Sequence, residues 1–201
     1  GKGEFSIEGS LPDPAKFTVQ FLKIRLKQED IIVTGNASVI KNNITNNKKR
    51  HTIHILQSPP LKDIIFQLNK LSVNLYAEQL LKILGKKMKG LGSFEKGIEV
   101  IIEWLEKNQI STKKIFIHDG SGLSRLNGCT TRFFVELLNM MSKDPDFKTF
   151  YHSLPVAGNS NDQGNLKQMC IGTAAANNVH AKTGSMERVR CHTGYVYSKS
   201  G

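Results

Sequence analysis

The chain has 201 residues, 39% of them hydrophobic and 22% charged, enough to bury the core of one domain or of a domain with a small appendage. No apolar run approaches the roughly 20 residues that cross a bilayer, and GKGEFSIEGS lacks the basic-then-apolar order of a signal peptide, so an export signal for an exported protein does not lie in this chain. A net charge of +11 would suit nucleic acid, an anionic membrane face or an acidic polymer, yet the lysines are scattered outside NNKKR (Asn46–Arg50) and GKKMK (Gly85–Lys89).

No helix-turn-helix, zinc-finger or RNP-type pattern accompanies that charge, so it reads as a solvated basic surface and nucleic acid is not expected as a partner. Three cysteines, Cys129, Cys170 and Cys191, give an odd count without metal spacing. Neither a disulfide framework nor a zinc site is indicated, one bridge with a spare thiol staying open, and no cofactor is expected.

In chain order, SLPDP (Ser10–Pro14) predicts a turn and a helix start, with proline near the first helical position. Phe17, Phe21, Leu22 and Leu26 then recur at helical spacing over Ala15–Lys27. IIVTG (Ile31–Gly35) predicts a short strand, NNITNNKKR an unstructured polar loop, and HTIHILQS (His51–Ser58) an alternating strand. His51 and His54 are polar strand positions in that reading, since no third ligand is near.

LKDIIFQLNKLSVNLYAEQLLKILG holds two helical runs that change character at Leu71–Asn74. Ser72 and Asn74 sit at the junction, and both residue types favour caps and turns. A helix is predicted over Phe94–Lys107 with Ser93 as N-cap. IFIHDGSGLSRLN reads as a short strand and a glycine-rich turn, and Thr130–Met141 as a helix. FKTFYHSLPVAGNSNDQGNLKQM is helix end and loop. HAKTGSM and then the strand RVRCHTGYVY close the chain, which stops just after a strand that needs a neighbour. Helices on a mostly antiparallel sheet make an α+β layered domain.

In AKTGSM a lysine, a threonine and a glycine stand together on a strand. Alone, K-T-G is weak, and S-x-N (Ser72 to Asn74) is weaker. Their order and setting carry more. LSVNLYAEQLLKILG, DGSGLSRLN, SLPVAG, GNLKQM and AKTGSM followed by GYV together resemble the D-alanyl-D-alanine carboxypeptidases/endopeptidases of the class C penicillin-binding proteins. The likeness runs from about Ser10 to Val196. S-x-x-K, S-D-N and K-T-G are the known motif set of penicillin-binding proteins and class A β-lactamases.

The resemblance implies a penicillin-binding-protein transpeptidase/β-lactamase-like fold, an antiparallel sheet flanked by helices, present here as a partial domain. Residues 1–201 would be the C-terminal portion of one catalytic domain, with residues 1–10 a remnant of an inserted or preceding domain. The substrate class implied is the peptidoglycan stem peptide ending in D-Ala-D-Ala, β-lactams being inhibitors of the full-length enzyme, and the location periplasmic or cell-envelope. Lys182 and Thr183 would hold the substrate carboxylate, and Gly184 would let the peptide lie along the strand edge. The Ser185 N–H would be an oxyanion-hole donor. Ser72 would relay a proton to the departing D-alanine, and Asn74 would bind the substrate peptide and orient the catalytic lysine. Asp119 and Arg125 would brace the DGSG turn, in which neither Ser121 nor Ser124 fits a nucleophile elbow.

Acylation needs a serine activated by a nearby base, which the family takes from S-x-x-K. SVIK (Ser38–Lys41) runs into a polar loop, SFEK (Ser93–Lys96) fits an N-cap, and STKK (Ser111–Lys114) lies in a connection. The nucleophile is therefore expected upstream of Gly1, the family's last strand and helix are expected to be absent, and the chain alone is expected to be inactive. HTGYV stands where the family reads LSGYV, which places His192 on the strand. Three alternatives remain: a non-catalytic peptidoglycan-binding relative, a serine β-lactamase, and a basic nucleic-acid binder whose affinity would fall steeply with salt.

Overall fold

The computed structural model describes residue 9 and residues 11–39, 51–52 and 54–197. Two compact units divide the chain, Gly1–Leu56 and Gln57–Gly201. In the first, helix α1 spans Pro14–Gln28, where Asp13 caps the start by accepting from the Lys16 amide at 2.9 Å and Pro14 fills a position whose amide has no helical partner. Arg25 and Lys27 in its last turn suit the negative end of the helix. The strand expected at Ile31–Gly35 is not formed: among the described residues this stretch has no ladder partner, and Gly35 instead offers its carbonyl to Lys23 Nζ at 2.6 Å. The strand expected at His51–Ser58 is likewise not formed at its described residues, 53 lying outside them, so His51 and His54 are exposed without being strand positions. The loop NNITNNKKR lies outside the described residues, as does Ser10.

The second unit carries α2 (Leu61–Leu71), α3 (Asn74–Lys89), α4 (Phe94–Lys107), α5 (Thr131–Met141), α6 (Phe147–Ser153), β1 (Val179–Met186) and β2 (Val189–Val196). The junction between α2 and α3 falls where the sequence changes character, because Ser72 turns the chain into the left-handed region at φ 54°, ψ 49°. Ser93 and Thr130 cap α4 and α5, accepting from the Lys96 and Phe133 amides at 3.2 Å. Gly90 ends α3 at φ +78°, where a glycine carries no Cβ penalty. Helices α3 and α4 pack closely, burying Leu81 and Leu105.

Strands β1 and β2 form an antiparallel hairpin in continuous register from Val179↔Val196 to Met186↔Val189. The strand expected at IFIHDG reduces to one bridge, Phe116↔Gly128. FKTFYHS is a complete short helix and not a helix end. A small core of Ala157, Leu166 and Ala181 sits under β1, with Cys170 and Val179 against it. Tyr195 seats β2 on the helices: its ring meets Phe147 edge-on at 5.2 Å, and its hydroxyl donates to the Leu138 carbonyl at 2.9 Å. Burial there pushes the phenol up to about 12. His192 is exposed on β2 and costs the strand no packing. All three cysteines are free.

Candidate active site

The site begins with a change of partner along one strand. Val179 and Ala181 in β1 use their outer-edge groups on the segment after α6: the Ala157 amide donates to the Val179 carbonyl at 2.9 Å, and the Ala181 amide to the Pro155 carbonyl at 3.0 Å. Backbone groups in an antiparallel ladder alternate between edges. Those of Thr183 and Ser185 therefore face the same outer edge as Ala181. Among the described residues no strand pairs there, so the edge opens at Lys182.

Lys182 crosses from this edge to the α2–α3 junction. Its ammonium donates to Ser72 Oγ at 2.8 Å and to the Thr183 carbonyl at 2.8 Å. An ammonium has three N–H donors, so a third is left for a ligand. Burial lowers the proton affinity of Lys182, and the nearby Cys191 thiol partly opposes this. Ser72 is exposed, and its left-handed backbone is uncommon for a residue with a Cβ. Asn74 is exposed two residues on as the first residue of α3, and among the described residues no hydrogen bond joins it to β1.

Thr183 Oγ1 accepts from Asn165 Nδ2, so its own hydroxyl proton is free to point elsewhere. Gly184 has a reason inside the sheet: an added Cβ would come within 2.6 Å of Cys191 Sγ, directly opposite on β2. Ser185 is exposed beyond it.

The DGSG turn stands against α3, and its polar groups are consumed locally. Asp119 accepts from the Gly122 and Ser124 amides at 2.7 and 2.6 Å and from Asn127 Nδ2 at 2.8 Å. Glu78 on α3 accepts from the Gly120 and Ser121 amides, both at 3.1 Å, and from Ser121 Oγ at 2.5 Å. Gly120 lies so close to α3 that a Cβ would sit 2.5 Å from the Ala77 carbonyl. Asp119 thus braces the turn as expected. Arg125 does not: it reaches Glu187 at 3.0 Å in the β1–β2 turn, an exposed pair.

Four residues at this site escaped the sequence reading: Lys70, Asp162, Glu78 and Asn165. Lys70 and Asp162 form an ion pair with side chains only 5% and 6% exposed. Lys70 Nζ also donates to the Leu154 carbonyl at 2.6 Å. Burial alone would raise the Asp162 carboxyl, but hydrogen bonds from Lys70 and from the Gly164 and Val156 amides hold it below its ordinary value. The available signal was a lysine inside the apolar run LKDIIFQLNKL, placed two residues before Ser72.

Residues 3–201 match the D-Ala-D-Ala carboxypeptidase 3 (S13) family. The chain belongs to that family. Among similar proteins, a D-alanyl-D-alanine carboxypeptidase of an Actinomadura species is 38% identical over 146 residues, covering 72% of this chain and 27% of the relative. A penicillin-sensitive carboxypeptidase A of Dictyostelium discoideum is 35% identical over 145 residues, covering 69% and 27%. Penicillin binding protein 4 (dacB) of Haemophilus influenzae, solved in complex with a novel β-lactam, superposes with a TM-score of 0.87 at 23% identity, covering 98% of this chain and 44% of that one. The likeness establishes the fold expected from the sequence, helices with an antiparallel sheet, as part of a larger domain. The chain spans less than half the length of each of these proteins. Among the described residues no helix is long and apolar enough to cross a membrane, and no three His, Cys, Asp or Glu side chains group as a metal site.

Proposed function

We propose that this chain forms two facing walls of the cleft of a serine-type D-Ala-D-Ala carboxypeptidase/endopeptidase acting on peptidoglycan stem peptides in the cell envelope. The observation that carries the reading is the 2.8 Å bond from Lys182 to Ser72, made where the outer edge of β1 becomes free. A stem peptide entering in extended form finds backbone donors and acceptors at Thr183 and Ser185. Its terminal carboxylate finds the third N–H of Lys182 and the hydroxyl of Thr183. The Ser185 N–H supports the developing oxyanion when a serine attacks the penultimate carbonyl.

Ser72 fits the relay role. With its oxygen accepting from Lys182, its hydroxyl proton can pass to the amine of the departing D-alanine as the C–N bond breaks, and Lys182 can replenish it. A lysine whose proton is held less tightly than usual suits that task. Asn74, beside Ser72, would hold the peptide of the substrate. Water then hydrolyses the acyl-enzyme. β-Lactams enter the same edge and inhibit by forming a slower-released adduct.

None of the three S-x-x-K strings supports a nucleophile here. Ser93 Oγ is the α4 cap and Lys96 pairs with Glu99. Ser111–Lys114 lies in the connection after α4, and Lys41 of the Ser38–Lys41 string lies outside the described residues. On this reading the attacking serine and its lysine come from outside this chain, and the chain alone is inactive.

Two measurements test this. Titrating the ¹⁵N-labelled chain with an acetylated tripeptide ending in D-Ala-D-Ala should shift the Thr183 and Ser185 amides, and the C-terminally amidated peptide should not. Equal shifts with both peptides would overturn the carboxylate assignment. Fluorescent penicillin should leave the chain unlabelled, and a stoichiometric covalent adduct would place the nucleophile inside it.

A further inference from the structure

We infer that Lys70 and Asp162 are positioning residues that fix the separation of the two cleft walls. The argument is a closed circuit of bonds. From Ser72 it runs two residues back along α2 to Lys70, whose ammonium binds Asp162 and the Leu154 carbonyl. From Leu154 it passes to Pro155, whose carbonyl holds the Ala181 amide at 3.0 Å. Ala181 precedes Lys182, and Lys182 returns to Ser72 at 2.8 Å.

Asp162 stiffens the same circuit. Its other oxygen accepts from the Gly164 amide at 2.7 Å, next to Asn165, which donates to Thr183 Oγ1. A second brace runs parallel, from Asn69 Nδ2 to Ser153 Oγ at 2.7 Å, with Ser153 Oγ donating to the Phe150 carbonyl at 2.6 Å. Neither Lys70 nor Asp162 side chain opens to solvent, so neither is placed to touch a substrate. A buried charge pair is weak evidence for stability but is well suited to fixing one arrangement over its neighbours. Here it sets where Ser72 stands relative to Lys182.

The inference rests on reading Ser72 and Lys182 as facing walls, and its test uses no substrate, so the two can fail separately. In the 201-residue chain labelled with [6-¹³C]lysine, NMR should show contacts between the Lys182 ε-protons and the Ser72 β-protons, and a Lys182 titration below its ordinary value. In Asp162→Asn, with its far-UV circular dichroism retained, the contacts should be lost and the titration should move up toward 10.5 as Lys182 becomes hydrated. Lys70→Arg, which keeps the cation but alters its reach, should weaken the contacts in the same direction, and it decides the matter where Asp162→Asn does not fold. Unchanged contacts and titration in either folded variant would overturn the inference.

Discussion

The DGSG turn and the AKTGSM strand are both glycine-bearing, serine-bearing segments, and either could pass for a catalytic loop on paper. In the turn, two carboxylates account for four backbone amides and a hydroxyl, so most of its donors are already committed. In the strand, two backbone positions face an unpaired edge and the lysine keeps a donor in reserve. What separates structure from function is the set of hydrogen-bonding groups the fold leaves uncommitted.

Removing the support beneath the strand should give the largest effect. Lys70→Met strands a buried carboxylate, and a loss of about 3–5 kcal/mol is expected in denaturant unfolding. Next comes Lys182→Ala in the complete enzyme, which should lower acylation by fluorescent penicillin about 10²–10³-fold, the scale for losing one transition-state donor. Its unfolding midpoint should move little. If stability and acylation fell together, the strand would be structural like the turn and the contrast would break.

Glu78→Gln tests the other side. It keeps the shape but weakens three acceptor bonds, and about 1–3 kcal/mol of stability should go while the peptide-induced shifts at Thr183 and Ser185 persist. Acid should reveal the Asp162 pair. Its folded-state carboxyl titrates below its unfolded value, so its contribution is complete above the unfolded value near 3.8 and is lost as pH falls through the folded one. Asp162→Asn should flatten that acid limb of the stability curve. Arg125→Ala should change stability by no more than about 0.5 kcal/mol, since the pair with Glu187 is exposed.

Much of this was legible in the residues. Apolar spacing placed α1, α2, α4 and α5 within a residue or two and Ser93 was the expected cap, whereas α3 runs four residues past the expected Gly85 to Lys89. Ile31–Gly35 and His51–Ser58 have strand-like composition, but among the described residues neither has a ladder partner, and β-propensity alone does not make a strand. The motif residues Ser72 and Lys182 were visible by order, and the structure brings them into contact. Lys70 and Asp162 were not, since they are 92 residues apart and only the fold makes them neighbours. Glu78 was hidden the same way, as one of many charges on a helix face.

An uncovered β-strand margin cannot distinguish a substrate from a second copy of itself, and such margins seed fibres when left flat and neutral. The loop from Pro155 to Ala157 shields the first half of β1. For the rest, the excess of +11 supplies mutual repulsion between copies. The scattered lysines, uninformative as a recognition patch, thereby oppose edge-to-edge pairing between copies.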